Sequence, residues 1–223
     1  KRNRKYGVYS VGSLIHNPQV VMDLSQKGLK VLTSIDSVKK GTVIISSHGA
    51  SKDVIEKLNK KNITIVNATC PFVKNAQDIV KDLNRKGYGI VIVGDKEHPE
   101  VMALSSLVRN RGTYAELDAE PMRNNGKIGI ISQTTQNKDD YLKGILGVLK
   151  NGFSEARIFN TICKDTSRRQ ELARRLIKEC DVMIIVGGRN SANTKRLWHI
   201  CRESGVDSYH IETDLELRKD YFT

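Results

Sequence analysis

Short β-branched runs alternate with helical stretches along this chain, and that alternation leaves few folds open. The runs are Gly7 to Ser10, Thr42 to Ser46, Ile63 to Val66, Ile90 to Val93, Lys127 to Ile131, Arg157 to Phe159, Val182 to Val186 and Ser208 to Ile211. Each is too short and too rich in β-formers to be a helix, so strands are predicted. The spacing between them predicts helices over Pro18 to Lys27, Lys52 to Lys60, Pro71 to Lys86, Pro99 to Val108, Asp139 to Leu149, Ser167 to Glu179 and Thr194 to Ser204. Several open with Pro, whose missing N–H costs nothing at the first helical position. Strand, helix and strand repeated in this way build parallel sheets from βαβ units, so the expected fold class is α/β.

The pattern repeats internally. Strand Ile63 to Val66 runs into Asn67-Ala68-Thr69-Cys70 and a helix; strand Arg157 to Phe159 runs into Asn160-Thr161-Ile162-Cys163 and a helix. At 223 residues the chain exceeds the ~100 to 150 of a usual domain. Three similar small α/β domains are expected, over residues 1–70, 71–159 and 160–223. The first strand has no preceding helix and the chain stops inside a helical stretch, Leu215 to Tyr221, so the first and last domains are expected to lack their outer parts.

Composition removes several classes of function. The net charge is +12, but Lys1, Arg2, Arg4 and Lys5 hold a third of it and the rest is spread. Aromatics are only 5%, and no nucleic-acid-binding pattern appears, so a small phosphorylated ligand is favoured over nucleic acid. No apolar run approaches the ~18 residues of a membrane span. Four Cys without a CxxC pair or a secretory leader argue against a disulfide scaffold and make a reducing cytoplasm the expected compartment.

In open α/β sheets a ligand sits off the carboxyl ends of the strands, where loops meet helix N-termini. His16, His48 and His98 each stand at such an end beside a turn residue, and Ser191 and Asn193 stand at another. Three imidazoles facing one crevice suit a multiply charged anion. A zinc site is the competing chemistry, although the short ligand spacing of strong zinc motifs is missing. His199 and His210 lack such company and read as structural. Cys180 and Cys201 follow Leu at helical spacing and read as core residues. Cys70 and Cys163 instead open helices, where the dipole favours thiolate, the form that binds iron. Glu100, by spacing alone, is an acid in a first helical turn.

Seven ordered segments together resemble one family: Gly12 to Pro18, Ser47-His48-Gly49, Ala68-Thr69-Cys70-Pro71, Gly94 through Val101, Ser132 to Gln136, Asn160 to Cys163 and Gly187 to Thr194. The chain is similar over essentially its whole length to the LytB-type 4-hydroxy-3-methylbut-2-enyl diphosphate reductases of the non-mevalonate isoprenoid pathway. The resemblance implies three α/β domains in a trefoil around an iron–sulfur cluster (4Fe-4S, or 3Fe-4S when degraded). It implies that Cys70 and Cys163 are cluster ligands, with a third Cys expected outside this chain. His16, His48, His98, Ser191 and Asn193 would bind the diphosphate, and Glu100 with Thr134 would flank the substrate hydroxyl, Glu100 relaying protons. The reaction implied removes that hydroxyl as water and yields isopentenyl and dimethylallyl diphosphates, with electrons from a ferredoxin- or flavodoxin-type donor. Asn67 stands where the family usually has Asp. The alternative is a non-catalytic α/β module that binds a phosphorylated ligand and has lost its metal centre.

Overall fold

The computed structural model describes residues 6–108, 113–114, 126–150 and 152–222; Lys1, Arg2, Arg4 and Lys5, singled out for their charge, lie outside them. Its strands fall into three sheets, all parallel. The first contains β1 (Val8–Val11), β2 (Leu29–Leu32), β3 (Thr42–Ile45) and β4 (Thr64–Asn67), with α1 (Pro18–Gln26) and α2 (Lys52–Asn59) in the connections. Then α3 (Pro71–Arg85) leads into the second sheet, which contains β5 (Gly89–Val93), β6 (Thr113–Tyr114), β7 (Lys127–Ser132) and β8 (Glu155–Phe159), with α4 (Pro99–Ser105) and α5 (Lys138–Leu149). Finally α6 (Lys164–Leu176) leads to β9 (Val182–Val186), α7 (Ala192–Glu203) and β10 (Asp207–Ile211).

The strand orders are β2-β1-β3-β4 and β6-β5-β7-β8, the same order twice, and β10-β9 reproduces its first half. The repeated Asn-x-x-Cys has a matching physical basis. Asn67 Oδ1 accepts from the Thr69 N–H at 3.0 Å, and Asn160 Oδ1 accepts from the Ile162 N–H at 3.2 Å. Each turn delivers its Cys to the N-cap of the next helix, α3 or α6. An Asp at position 67 would offer the same acceptor, so Asn67 preserves the turn.

The second sheet is the driest part of the molecule. Ile90 and Ile92 pack under Ala76, Val80 and Leu83 of α3 and under Val101 and Leu104 of α4. Val91 and Val93 face the other way, against Tyr141, Ile145 and Val148 of α5, as the two-residue period of a strand requires. Gly129 allows the close approach of α3, because a Cβ there would lie 2.6 Å from Leu83. The first sheet has one buried cluster, Ile35, Val38, Val43, Ile45 and Leu58, and α1 buries none of its residues. In the third unit Ala173, Cys201 and Leu197 pack on Met183 and Ile185.

Three expectations need correction. The segment after Gly28 contains strand β2, missed because it is an edge strand whose Val31 is exposed and whose alternation covers only four residues; β6, two residues long, was likewise not expected. Leu215 to Tyr221 is no α-helix but two 3₁₀ turns, Asp214–Glu216 and Lys219–Phe222, with Leu217 extended between them. Glu216 bends back to accept the N–H groups of Glu212 and Thr213, and Leu215, 91% exposed, offers no buried face to hold a longer helix. Cys180 is exposed rather than core: α6 ends at Leu176, and the chain turns there before Cys180 is reached. Cys201 is fully buried, as expected.

Candidate active site

Each four-stranded sheet reverses its order between its first and third strands, and such reversals open a crevice at the carboxyl ends. His16 follows β1 and His48 follows β3; His98 follows β5 and Thr134 follows β7. The two crevices face one another, and the three histidine rings meet, with centroids 4.3 Å apart for His16 and His48, 5.5 Å for His16 and His98, and 5.4 Å for His48 and His98.

Burial acts strongly on these rings. Desolvation, with smaller contributions from His16 and His98, pushes His48 down to about 3. Desolvation and His16 push His98 down to about 4 against the pull of Asp95, and desolvation with Lys195 lowers His16. The trio is therefore neutral at pH 7, so each ring is one donor and one acceptor. His98 Nδ1 accepts from the Glu100 N–H at 3.2 Å, capping α4. The proton of neutral His98 consequently sits on Nε2, which donates. A zinc ligand needs a lone pair on the nitrogen facing the ion, whereas an anion needs a donor there, so His98 Nε2 suits an anion better, although one ring nitrogen from each of the three lies within 4.8 Å of the others. His16 Nε2 is buried without a hydrogen-bond partner, a cost of ~1 to 3 kcal/mol that an acceptor on a bound ligand removes; Asn193 Oδ1 is also buried and unpartnered, and it is the amide Nδ2 that could donate to an anion.

Glu100 lies one helical residue beyond Pro99 and is only 1% exposed. Its Oε1 accepts from the Thr134 backbone N–H and its Oε2 from the Thr134 hydroxyl, both at 2.7 Å. Desolvation outweighs these two bonds and raises the carboxyl to about 7. A group poised there can both hold and release a proton near neutrality.

Backbone bonds tie each cysteine to a loop that carries a candidate site residue. The Cys70 N–H donates to Ser47 O at 3.0 Å, beside His48, and the Cys163 N–H donates to Thr134 O at 2.8 Å, beside Glu100. Both thiols are free and half-buried, and neither caps its own helix through its side chain. Two uncommitted thiols at helix N-termini could serve as ligands to a soft metal centre.

The third unit forms the remaining wall. A cleft of about 540 Å³ lies between His16, Asp95 and His98 on one side and Asn190, Lys195 and Arg196 on the other. Ser191 is the N-cap of α7; its hydroxyl oxygen accepts from the Thr194 N–H at 3.3 Å, leaving its hydrogen to donate. Gly188 makes the closure sterically possible, because a Cβ there would lie 2.5 Å from the carbonyl oxygen of His16. Among the readings of single residues, His210 bonds the Gly187 carbonyl through Nε2 at 2.8 Å, while His199 lines the cleft's rim and is exposed. Sequence reasoning assigned no role to Asp95 and Gln133, although both lie in segments it singled out, and it missed Arg196. Gln133 is fully buried and its Oε1 accepts the Asp95 N–H at 2.8 Å, a link between strand ends that no spacing rule reveals.

A trefoil of parallel α/β units, with a histidine cluster, a buried carboxyl and two helix-opening thiols at facing crevices, defines a class of anion-binding redox enzyme. The family model described as LytB protein matches residues 1–223, and the chain belongs to that family. It is 43% identical over 218 residues to the 4-hydroxy-3-methylbut-2-enyl diphosphate reductase of Pelobacter propionicus, covering 96% of this chain and 77% of the relative. It is 44% identical over 218 residues to the enzyme of that name from Geobacter sulfurreducens, covering 96% and 76%. Among solved structures, an (E)-4-hydroxy-3-methyl-but-2-enyl diphosphate reductase superposes with a TM-score of 0.68 at 39% identity, over 99% of this chain and 80% of that one. The Plasmodium falciparum reductase superposes with a TM-score of 0.90 at 24% identity, over 97% and 70%, a likeness of fold. No helix among the described residues is long and apolar enough to cross a membrane.

Proposed function

We infer that this chain reductively dehydroxylates 4-hydroxy-3-methylbut-2-enyl diphosphate to isopentenyl and dimethylallyl diphosphates. The balance is one alcohol, two electrons and two protons in, one alkene diphosphate and one water out. The family and the relatives support the reaction; the assignment of residues is argued from the site. Cys70 and Cys163 would hold an iron–sulfur cluster together with a Cys outside residues 1–223. When bound, such a cluster supplies electrons and Lewis acidity. A ferredoxin- or flavodoxin-type protein would be the electron donor.

The chain's own residues do the rest. His16, His48 and His98 offer ring N–H donors to the diphosphate oxygens, and Ser191 and Asn193 close over them from α7. Binding a dianion raises the affinity of the neutral rings for protons, so anion and proton are taken up together. Thr134 Oγ1 orients the substrate hydroxyl beside Glu100, and the Glu100 carboxyl delivers a proton where the C–O bond breaks. Retention of Cys70, Cys163 and Glu100 together supports the catalytic reading over a non-catalytic module.

The observation that carries this reading is Glu100, buried and raised to about 7 while held by Thr134. Glu100→Gln keeps the shape and cannot supply a carboxylic proton. Turnover of the reconstituted full-length enzyme is expected to fall by ~10² or more, with iron content and diphosphate affinity retained. Near-normal turnover would reduce Glu100 to a helix-capping acid.

A further inference from the structure

Arg196 lies in the second turn of α7, five residues past the N-cap Ser191, and its side chain is only 13% exposed. Its Nη2 is 3.0 Å from Asp95 Oδ1 and its Nη1 is 3.8 Å from Asp140 Oδ2, while Nε is buried without a partner. The two carboxylates come from different connections of the second sheet, Asp95 from the loop after β5 and Asp140 from the first turn of α5. The Asp95 carbonyl accepts the His98 N–H at 2.9 Å and its own N–H donates to Gln133 at 2.8 Å. Asp140 opens α5, where its N–H donates to Asn137 Oδ1 at 2.7 Å. One guanidinium thus joins the third unit to two connections of the second, and the nearer of them also holds His98.

Consider what this bridge separates. The histidine half of the diphosphate seat is fixed to the first and second sheets. The Ser191 and Asn193 half travels with α7, and five helical residues place Arg196 only ~7.5 Å along the axis from Ser191. Apart from the seat itself, the Arg196 pair is the ionic contact between α7 and the His98 loop among the described residues. We propose that Arg196 is a positioning residue: through Asp95 and Asp140 it sets the distance between the two halves of the anion seat. The proposal rests on the diphosphate reading of that seat.

Charge and position make opposite predictions for Asp95, and this decides the matter. Removing a carboxylate beside an anion site should tighten anion binding if the pair acts only through its field. It should weaken binding if the pair holds α7 in place, because hydrogen bonds to the anion weaken steeply once donor and acceptor leave their narrow range of distance and angle. The experiment measures inorganic diphosphate affinity by calorimetry, along with kcat, KM and the melting temperature, for the full-length wild type and for Asp95→Asn, Arg196→Gln, Arg196→Lys and His48→Ala. The expected result is diphosphate binding weakened about 10-fold in Arg196→Gln and several-fold in Asp95→Asn, with KM raised in parallel and kcat within about twofold. The double variant Asp95→Asn/Arg196→Gln should be no worse than the weaker single, since both remove one interaction. Tighter or unchanged binding in Asp95→Asn overturns the proposal, as does a lowered melting temperature with unchanged affinity in both variants. Wild-type protein that fails to bind inorganic diphosphate overturns the seat itself and the proposal with it. Binding lost in His48→Ala but intact in Arg196→Gln leaves the seat standing and removes only the positioning role.

Discussion

The first and second sheets share one strand order and one terminal Asn-x-x-Cys turn, yet they prepare different chemistry at the same place. In the first, α1 buries nothing, β4 is largely exposed, and the strand ends carry His16 and His48. In the second, β5 is buried along its whole length and covered on both faces, and its end leads to Glu100. Desolvation acts at both crevices, and at the first it pushes His48 down to about 3. At the second, burial raises the Glu100 carboxyl to about 7, where it can hold or release a proton near neutrality. The scaffold sets the position of a side chain, and the packing behind it sets the protonation.

The comparison breaks first at the cysteines, where the effect is all or none. If both sheets end in equivalent ligands, Cys70→Ser and Cys163→Ser each abolish the iron and acid-labile sulfide of anaerobically purified full-length protein. Cys180→Ala, at an exposed site, leaves both at wild-type level with stability changed by no more than about 0.5 kcal/mol. Loss of iron in only one of the two Ser variants would end the equivalence.

Packing gives the next largest contrast. Leu83 is 1% exposed under the second sheet, and Leu83→Ala is expected to cost about 2 to 5 kcal/mol in denaturant unfolding. Met22 of α1 is exposed, and Met22→Ala should stay within about 0.5 kcal/mol. Similar costs at both positions would mean that the first unit is not the looser one.

The smallest and sharpest test is titration. The folded protein binds the Glu100 proton more tightly than the unfolded chain, whose value is near 4.5. Its contribution to stability is thus complete below about 4.5 and is lost as pH rises through about 7. Glu100→Gln cannot titrate, so its stability relative to wild type should grow with pH across that window, by up to about 3 kcal/mol, and level off above it. Denaturation midpoints at pH 5 and pH 8 measure this, and a difference independent of pH would place Glu100 in a wetter site.

Much of this was legible in the chain itself, for local reasons. Eight strands and seven helices follow from period and from Pro or Asx caps, because these signals act over a few residues. The repeated turn was visible because an Asn that bonds two residues ahead and a Cys three residues ahead are both short-range facts. What sequence placed poorly was also local but unsupported by neighbours: β2 is an edge strand of four residues, and Leu215 to Tyr221 has helical residues without a face to bury.

The tertiary structure alone decided the long-range terms. That His16, His48 and His98 touch depends on two crevices facing each other, and that they are neutral depends on how much water remains there. The tautomer of His98 follows from the Glu100 N–H, and the bridge from Arg196 to Asp95 spans 101 residues of chain. Residue type specifies which proton a group can carry; only the surrounding burial and partners specify whether it carries one.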